Sequence, residues 1–296
     1  MGLVQDTDAW MNSIENLEQF ERVMLKNGIK PDEMVQRYAQ YVILRIIASN
    51  RALRERLVLK GGNALDLIYQ GDRSTKDIDF SDGGAFNEAW FYEHFTRAFR
   101  LNANDFGMAL KIQRCRRNPA GENKTRATWE VNVGYAHRIR NPSAFRRMTS
   151  NEEYSAANII EMDVSENEYV GEARERGLKG LRVASLNDIV AEKLRAILQQ
   201  LERRRQRAQD VYDIAAIWKD EGKRGELNPE KVKLFHLEKC RIRDVQTGRE
   251  RFDVAGVRER ALSGYELLKE TVRNDEFIEF EYAWECVKEL VEWAGL

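Results

Sequence analysis

The spacing of apolar residues changes several times in the first two thirds of the chain and then becomes uniform. Residues 12–28 and 31–50 carry apolar side chains at near-helical intervals, and Pro31 suits the first position of a helix. Shorter apolar runs bounded by glycine and polar residues follow, which is typical of strands. From Leu186 onward the spacing is almost wholly helical. The pattern therefore predicts a mixed α/β unit followed by a helical unit.

Five runs in the middle of the chain have the length and apolar pattern of strands. They are LVLK (57–60), DIDF (77–80), ALKIQRC (109–115), TWEVNVGY (128–135) and NIIEMDVS (158–165), with a helix NALDLIYQ (63–70) between the first two. We expect an N-terminal helical segment, residues 1–56, packed on an α/β core, residues 57–185. A C-terminal helical domain, residues 186–296, is expected to follow.

Composition narrows the class of protein. Of 296 residues, 43% are hydrophobic and 33% are charged, as in soluble globular proteins. No run approaches the roughly 18 apolar residues of a membrane span, and the first ten residues lack the pattern of a signal peptide. A cytoplasmic protein without a membrane partner is the expectation. The three cysteines and three histidines show no ligand spacing, so any bound metal must be held by oxygen atoms.

Charge is unevenly distributed although the net charge is only −1. Basic residues dominate the segment 111–147, and a second basic run, Arg203–Arg207, follows the helix that begins near Asn187. Either run alone is most simply a solvated face, but two of them favour a nucleic acid or a nucleotide as partner. The basic residues of the first segment are Lys111, Arg114, Arg116, Arg117, Lys124, Arg126, Arg138, Arg140, Arg146 and Arg147.

A glycine pair, Gly61-Gly62, lies between a predicted strand and a predicted helix. Glycine lets the backbone approach a ligand closely, and the unpaired N–H groups at a helix start bind phosphate well. Asn63 could cap that helix, and Lys60 could add a positive charge. An ordinary strand-to-helix turn is the alternative explanation of the pair.

Asp77 and Asp79 are two residues apart on a predicted strand, so both carboxylates leave the same face. Two carboxylates this close repel unless a cation lies between them, and Mg²⁺ commonly joins one or two carboxylates to substrate phosphates. The alternative is a polar strand edge whose aspartates cap the following turn. In the strand IIEMDVS, Glu161 and Asp163 share one face, and either could complete a site of three acids.

The helix at NDIVAEKLRAIL places Lys193 among its apolar positions at about 100° per residue. A lysine directed to the interior needs an anionic partner or a cleft, unless it extends along the rim to reach water. A contact with nucleotide phosphates is the functional interpretation. Asp210 and Asp213 open the next helix; Asp210 could be its N-cap, or an acid near Lys193 could orient that lysine.

These motifs together resemble the nucleotidyltransferase superfamily related to DNA polymerase β. Within it, the chain resembles the AbiEii/AbiGii-type abortive-infection toxins, the nucleotidyltransferase partners of bacterial toxin–antitoxin pairs. The matching pieces are KGGNAL (60–65), Tyr69, RSTKDIDF (73–80), EMDVS (161–165), AEKLRA (191–196) and DVYDI (210–214). The resemblance implies an α+β fold, with a polymerase-β-like core built on a mixed sheet, N-terminal helices and a C-terminal helical domain.

The resemblance also implies roles for single residues. Asp77, Asp79 and Asp163 would bind metal and act in catalysis, and Lys193 and Asp210 would belong to two later catalytic motifs. The residues implied to bind the nucleotide are Lys60, Gly61, Gly62, Asn63, Arg73, Ser74 and Lys193.

Two positions depart from the family pattern. Asn63 stands where serine or threonine is common, which could weaken a side-chain contact with phosphate. Gln209 stands where arginine or lysine is usual, so Arg205 or Arg207 would have to supply that cation.

The implied activity is transfer of a nucleotide from an NTP to RNA with two Mg²⁺ ions, and the 3′ end of tRNA is the favoured acceptor. A cognate antitoxin protein is an expected partner. Two alternatives stay open: a non-catalytic nucleotide- or nucleic-acid-binding regulator on the same fold, and transfer to a protein or a small molecule. The intact acid pair argues against the regulator, because two mutually repelling carboxylates serve no purpose in an inactive site.

Overall fold

The computed structural model describes residues 7–26, 28–84, 87–119, 127–150, 153–203, 206–254, 256–273 and 276–296. The chain divides into two compact units. Unit 1 comprises Met1–Gln70, Thr75–Glu168 and Arg174–Val183, and unit 2 comprises Gly71–Ser74, Tyr169–Ala173 and Ala184–Leu296. Among the described helices, none has the length and apolar character needed to cross a bilayer.

The described strands form one mixed sheet of seven strands in the order β3-β4-β5-β2-β1-β7-β6. Neighbours β2 and β5 are parallel, as are β1 and β7, whereas the pairs β1–β2, β3–β4 and β4–β5 are antiparallel. All five predicted strands are present, and the α+β fold class with a mixed sheet is confirmed. The strands are β1 (Leu57–Lys60), β2 (Ile78–Asp82), β3 (Met108–Asn118), β4 (Thr128–His137), β5 (Ile159–Glu166), β6 (Ala173–Glu175) and β7 (Arg182–Ala184).

Helices precede the sheet in the chain and make up most of the chain after it. Short turns of other helix types occur at Pro31–Glu33, Ala64–Ile68 and Tyr265–Glu270. The described α-helices are α1 (Thr7–Ser13), α2 (Leu17–Lys26), α3 (Met34–Ser49), α4 (Arg51–Arg56), α5 (Gly61–Asn63), α6 (Glu88–Asn102), α7 (Pro142–Ser150), α8 (Leu186–Arg203), α9 (Ala208–Lys219), α10 (Glu221–Gly225), α11 (Pro229–Arg243), α12 (Arg249–Phe252), α13 (Val257–Leu262) and α14 (Phe280–Trp293).

The central strands have one apolar face and one polar face. Side chains alternate along a strand, so every second residue of β2, β4 and β5 falls on the same face. Helix α3 covers the apolar face, since the Tyr38 ring lies 6.0 Å from the ring of His137, which shares that face. Each large apolar side chain contributes about 1.5–3 kcal/mol by its burial. The apolar face carries Ile78, Phe80, Val131, Val133, Ile160, Met162 and Val164, all at most 1% exposed.

Three local expectations are corrected. The predicted helix 12–28 is two helices, because the Asn16 side chain accepts a hydrogen bond from the Gln19 N–H at 3.1 Å and starts α2. Strand β2 begins at Ile78, so Asp77 precedes the strand instead of lying within it. Asn63 caps no helix, because its side chain makes no capping hydrogen bond.

In unit 2, helix α8 packs against α11, α9 and α13, and α9 packs against α14. The helical-wheel prediction for α8 is confirmed, because Lys193 is buried at 5% exposure together with Val190, Leu194 and Ile197. The suggestion that Asp210 is the N-cap of α9 is wrong. Arg207 occupies that position, and the Asp210 side chain is held by Lys193 instead.

Candidate active site

A row of charged residues runs across five neighbouring strands on the polar face of the sheet. Asp79 of β2 is the direct register partner of Lys60 on β1 and of Asp163 on β5. Asp163 is in turn opposite Glu130 on β4, which is opposite Arg116 on β3. Register partners project from the same face, so three carboxylates lie side by side between two cations. We call this surface the acid face.

Asp77 and Glu161 form a second row on the acid face, next to the row of Asp79 and Asp163. Glu161 lies two residues before Asp163 on β5, and its register partner on β4 is Asn132. Burial is the largest influence on Asp77 and raises the pKa of its carboxyl above the ordinary range; the charge of Glu161 raises it further. Both of the acids considered as a third ligand thus share the face with the aspartate pair, and Asp163 is the one directly opposite Asp79.

The Asp163 carboxyl has a raised pKa. Burial raises the pKa of its carboxyl to about 6, with further contributions from the negative charges of Asp79, Glu130 and Asp77, and Lys60 opposes the shift. A cation held among these groups would reverse the shift, because it favours the charged form of each carboxylate.

The acid face has the donor chemistry that a hard metal ion requires. In the described part of the chain, no three carboxylate, imidazole or thiol groups converge closely enough to form a complete metal site. Mg²⁺, however, commonly takes one or two carboxylates and completes its shell with water and substrate phosphates. The oxygen atoms of Asp77, Asp79 and Asp163 fit a metal that binds together with a nucleotide.

Gly61 connects the glycine turn to the acids directly. Its φ is +67°, a left-handed conformation that favours glycine, and a Cβ atom here would lie 2.3 Å from Oδ2 of Asp79. Only glycine allows the turn and the carboxylate to be this close. Gly62 follows in α5 and is half-buried.

The turn is flanked by Lys60 and Asn63. The hydrogen-bond partners of these two side chains could not be predicted from the sequence. The Lys60 ammonium donates to Ser165 Oγ at 3.1 Å and forms an ion pair with Glu168, which also accepts from the Ser81 hydroxyl. Asn63 is fully buried, and its side-chain oxygen and nitrogen have no hydrogen-bond partner among the described residues. A buried amide without partners is costly, so this position holds unused hydrogen-bonding capacity beside the turn.

A buried polar network supports the backbone that leads into Asp77. The Gln40 amide of α3 donates to the carbonyls of Thr75, at 3.1 Å, and Lys76, at 2.8 Å. Arg37 forms a buried ion pair with Asp66 and donates to the Thr75 carbonyl at 3.0 Å. The Asp66 carboxylate also accepts from the Thr75 N–H at 3.1 Å. Sequence reasoning missed this network, although Arg37 and Gln40 interrupt an otherwise apolar helix.

Unit 2 contains a second charged cluster around Lys193. The Lys193 ammonium donates to Asp210 at 2.8 Å and to Asp213 at 2.7 Å, and the Arg73 guanidinium donates twice to Asp213, both at 2.9 Å. Burial alone would raise the pKa of Asp213, but Arg73 and Lys193 hold it well below its ordinary value. Burial would lower the pKa of Lys193, and Asp210 and Asp213 raise it above the ordinary value.

The predicted site residues therefore fall into two groups. Unit 1 brings the glycine turn together with the aspartates, and unit 2 brings together Arg73, Lys193 and Asp210. Ser74, also in unit 2, uses its N–H to donate to the Thr271 carbonyl at 2.8 Å. Asp213 neutralises both cations of the second group but was not among the predicted site residues. Its position three residues after Asp210 on the same helix was the available signal.

Comparisons with known proteins identify the family and the fold of the chain. A family model described as nucleotidyl transferase AbiEii toxin, type IV toxin–antitoxin system, matches residues 42–284. A proposed nucleotidyltransferase from H. pylori superposes with a TM-score of 0.51 and 14% sequence identity, covering 90% of this chain and 96% of that one. JHP933 from Helicobacter pylori has a TM-score of 0.50 and 14% identity, covering 90% and 93%. At this identity, both structures show the fold alone. No curated protein matches the chain.

Proposed function

Because the chain belongs to the AbiEii family of nucleotidyl transferase toxins from type IV toxin–antitoxin systems, we propose that it transfers a nucleoside monophosphate from an NTP to RNA on the acid face. The 3′ end of tRNA is the favoured acceptor. The observation that carries the proposal is the register of Asp79 with Asp163, beside a glycine turn in which Gly61 leaves no room for a Cβ atom next to Asp79.

The chain's own residues would bind and orient the substrates. The turn at Gly61 and Gly62 offers backbone N–H groups to the triphosphate, and the buried Asn63 amide lies next to it. The acceptor hydroxyl forms a new bond to the α-phosphorus, the bond from that phosphorus to the bridging oxygen breaks, and pyrophosphate leaves while the hydroxyl proton passes to water. Two Mg²⁺ ions on Asp77, Asp79 and Asp163 would supply charge neutralisation and activation of the hydroxyl.

The partners follow from charge and family. The basic segment 111–147 and the run Arg203–Arg207 have the charge to hold an RNA backbone, although residues 120–126, 204 and 205 lie outside the described residues. A toxin of a type IV system implies an antitoxin partner. Lys193 and Asp210 keep their proposed catalytic role from the family motifs, with Asp213 added as their neutralising partner.

The test is incubation of the protein with total RNA and each of the four NTPs, labelled at the α-phosphorus, in Mg²⁺. We expect label in the RNA fraction for wild type. Asp79→Asn and Asp163→Asn should each lower the amount of transferred label at least 100-fold, because each removes a negative charge from the acid face. Asp105→Asn, at an exposed position outside the row, is the matched control and should retain activity. Absence of label from wild-type RNA, or undiminished transfer by Asp79→Asn, would refute the proposal.

Separating the products of a labelled cell extract into RNA, protein and small-molecule fractions identifies the acceptor class. Label in RNA supports the proposal, whereas label confined to protein or to small molecules would assign a different acceptor to the same chemistry.

A further inference from the structure

Two exposed arginines lie on the acid face at the edge of the sheet. Strand β3 is the edge strand, and its Arg116 is the register partner of Glu130. Arg114 is the partner of Asn132, which is itself opposite Glu161 on β5. Both arginines therefore belong to the same rows as the acids.

A bulge in β3 is what directs these arginines to that face. The register of β3 with β4 shifts between Ile112 and Arg114, where Gln113 is the extra residue. Ile112 is buried and lies opposite Val133 on the apolar face, so unbroken alternation would place residues 114 and 116 on that face as well. Bulges commonly redirect a side chain next to an active site. Here the bulge moves two cations from the apolar face to the acid face.

Gln113 itself is fixed. Its amide donates to the Ala156 carbonyl at 3.1 Å, and its side chain occupies the space that a Cβ at Gly134 would need. The hydrogen bond to Ala156 and the absence of a side chain at Gly134 together fix the position of the bulge residue.

Three other cations of the segment 111–147 make contacts of their own within unit 1. Lys111 donates to the Tyr154 carbonyl at 3.0 Å, Arg117 forms an ion pair with Glu166, and Arg147 lies 4.1 Å above the Tyr154 ring. Arg116 makes only a loose pair with Glu130, at 3.5 Å, and more than half of its side chain is exposed. Arg114 is exposed and has no ion pair within the described ranges.

The order of the strands places the glycine turn and the two arginines on opposite sides of the acids. The glycine turn follows β1, Asp79 and Asp163 lie on β2 and β5, and the arginines lie on β3, beyond β4. With about 4.8 Å between strands, Arg116 starts about 10 Å from the Asp163 position and about 14 Å from that of Asp79. A triphosphate on the glycine turn would lie on the opposite side of the acids from the arginines.

We propose that Arg114 and Arg116 bind neighbouring phosphates of the single-stranded end of the nucleic-acid acceptor, which approaches the acids from the β3 edge. The inference rests on the proposed function and deepens it. Two residues apart on a strand, the arginines are spaced by about 6.7 Å, close to the separation of consecutive phosphates in an extended strand. Arginine suits this role because its guanidinium donates two parallel hydrogen bonds to one phosphate.

The test measures binding without turnover. The Kd of a fluorescent single-stranded RNA ending in a 3′ hydroxyl is determined by anisotropy, without NTP, between about 50 and 200 mM salt. For the double variant Arg114→Ala/Arg116→Ala we expect weaker binding and a slope of log K against log salt that is smaller in magnitude by about 1.4, since each phosphate contact in a single strand contributes about 0.7. Arg114→Lys/Arg116→Lys keeps both charges and should keep the wild-type slope.

The matched control is Arg22→Ala/Arg51→Ala, which removes the same charge from exposed positions on α2 and α4. It should leave the slope unchanged, and circular dichroism checks that each variant is folded. An unchanged slope in the Arg114/Arg116 alanine variant, or an equal loss in the control, would overturn the proposal.

The outcome is distinguishable from that of the proposed function. If wild type binds RNA through these arginines but transfers no label, nucleotidyl transfer to RNA is refuted while the binding assignment stands. If label is transferred, the alanine variant should raise the KM for RNA and leave the KM for NTP unchanged; an equal rise in both would contradict the assignment to the acceptor.

Discussion

At the scale of single residues, Gly61 carries the closest contact of the candidate site. In Gly61→Ala the new Cβ would collide with the Asp79 carboxylate, and the left-handed backbone adds about 1–2 kcal/mol of strain. We expect nucleotide transfer to fall at least 100-fold and the free energy of unfolding in urea to fall by about 1–3 kcal/mol. Gly83→Ala is the control, because nothing lies within 4 Å of its Cβ position. Equal activity of the two variants would disprove the contact.

Asp163 offers a test of the electrostatics that needs no substrate. Its pKa is raised to about 6, above the ordinary 3.8, so the ionised carboxylate opposes folding at neutral pH. In EDTA at pH 7.5, Asp163→Asn should be more stable than wild type by on the order of 1 kcal/mol after solvent screening. The advantage should shrink as the pH falls through 6 toward 4, because wild-type Asp163 then gains its proton in the folded state. Urea unfolding at several pH values measures the difference in free energy of unfolding between Asp163→Asn and wild type. A difference that does not change with pH would contradict the raised pKa of Asp163.

At the scale of elements, helix α3 supports the chain that enters β2. Gln40→Met keeps the volume of the side chain but removes its donors to the Thr75 and Lys76 carbonyls, at an expected cost of about 1–3 kcal/mol. If this contact positions Asp77, kcat should fall about tenfold or more with little change in KM for NTP. Gln200→Met is the matched control, because Gln200 is also buried and donates to the Val257 carbonyl at 2.6 Å. A fall in stability without a change in kcat would show that Gln40 has a purely structural role.

Helices α8 and α9 are joined by the Lys193 cluster. Lys193→Met would leave Asp210 and Asp213 buried without their shared cation, and we expect the loss of about 3–5 kcal/mol that follows when one partner of a buried ion pair is removed. Lys288→Met, at a partly exposed pair on α14, should change stability by less than about 0.5 kcal/mol. Urea unfolding compares them, and equal midpoints would show that the cluster is not held by charge.

Elements that depend on local pattern could be predicted from the sequence, and those that depend on distant pairing could not. Alternation identified β2 and β5, and the helical wheel placed Lys193 in the interior, because both signals lie within a few residues. The register of β2 with β5 joins segments about 80 residues apart in the chain. The residue pattern alone therefore left Glu161 and Asp163 as alternatives, and only the family resemblance favoured Asp163. The bulge at Gln113 could not be predicted either, because its residue contacts Ala156, which is distant in the chain.

At the scale of the whole molecule, one face of the sheet carries the residues proposed for the chemistry and those proposed to bind the acceptor. The glycine turn, the acids and the two arginines lie in that order across strands β1, β2, β5 and β3 of a fold shared with nucleotidyltransferases. Family membership establishes nucleotidyl transfer as the general activity, and RNA as the acceptor is our proposal. We propose that an α-phosphoryl group, with its nucleoside, is transferred on this face.

The most direct test compares the same NTP labelled at the α-phosphorus and at the γ-phosphorus, with RNA and Mg²⁺. The account predicts α label in RNA, γ label only in released pyrophosphate, and loss of both products in Asp79→Asn. Label from the γ-phosphorus on the acceptor, or RNA labelling that survives Asp79→Asn, would contradict it.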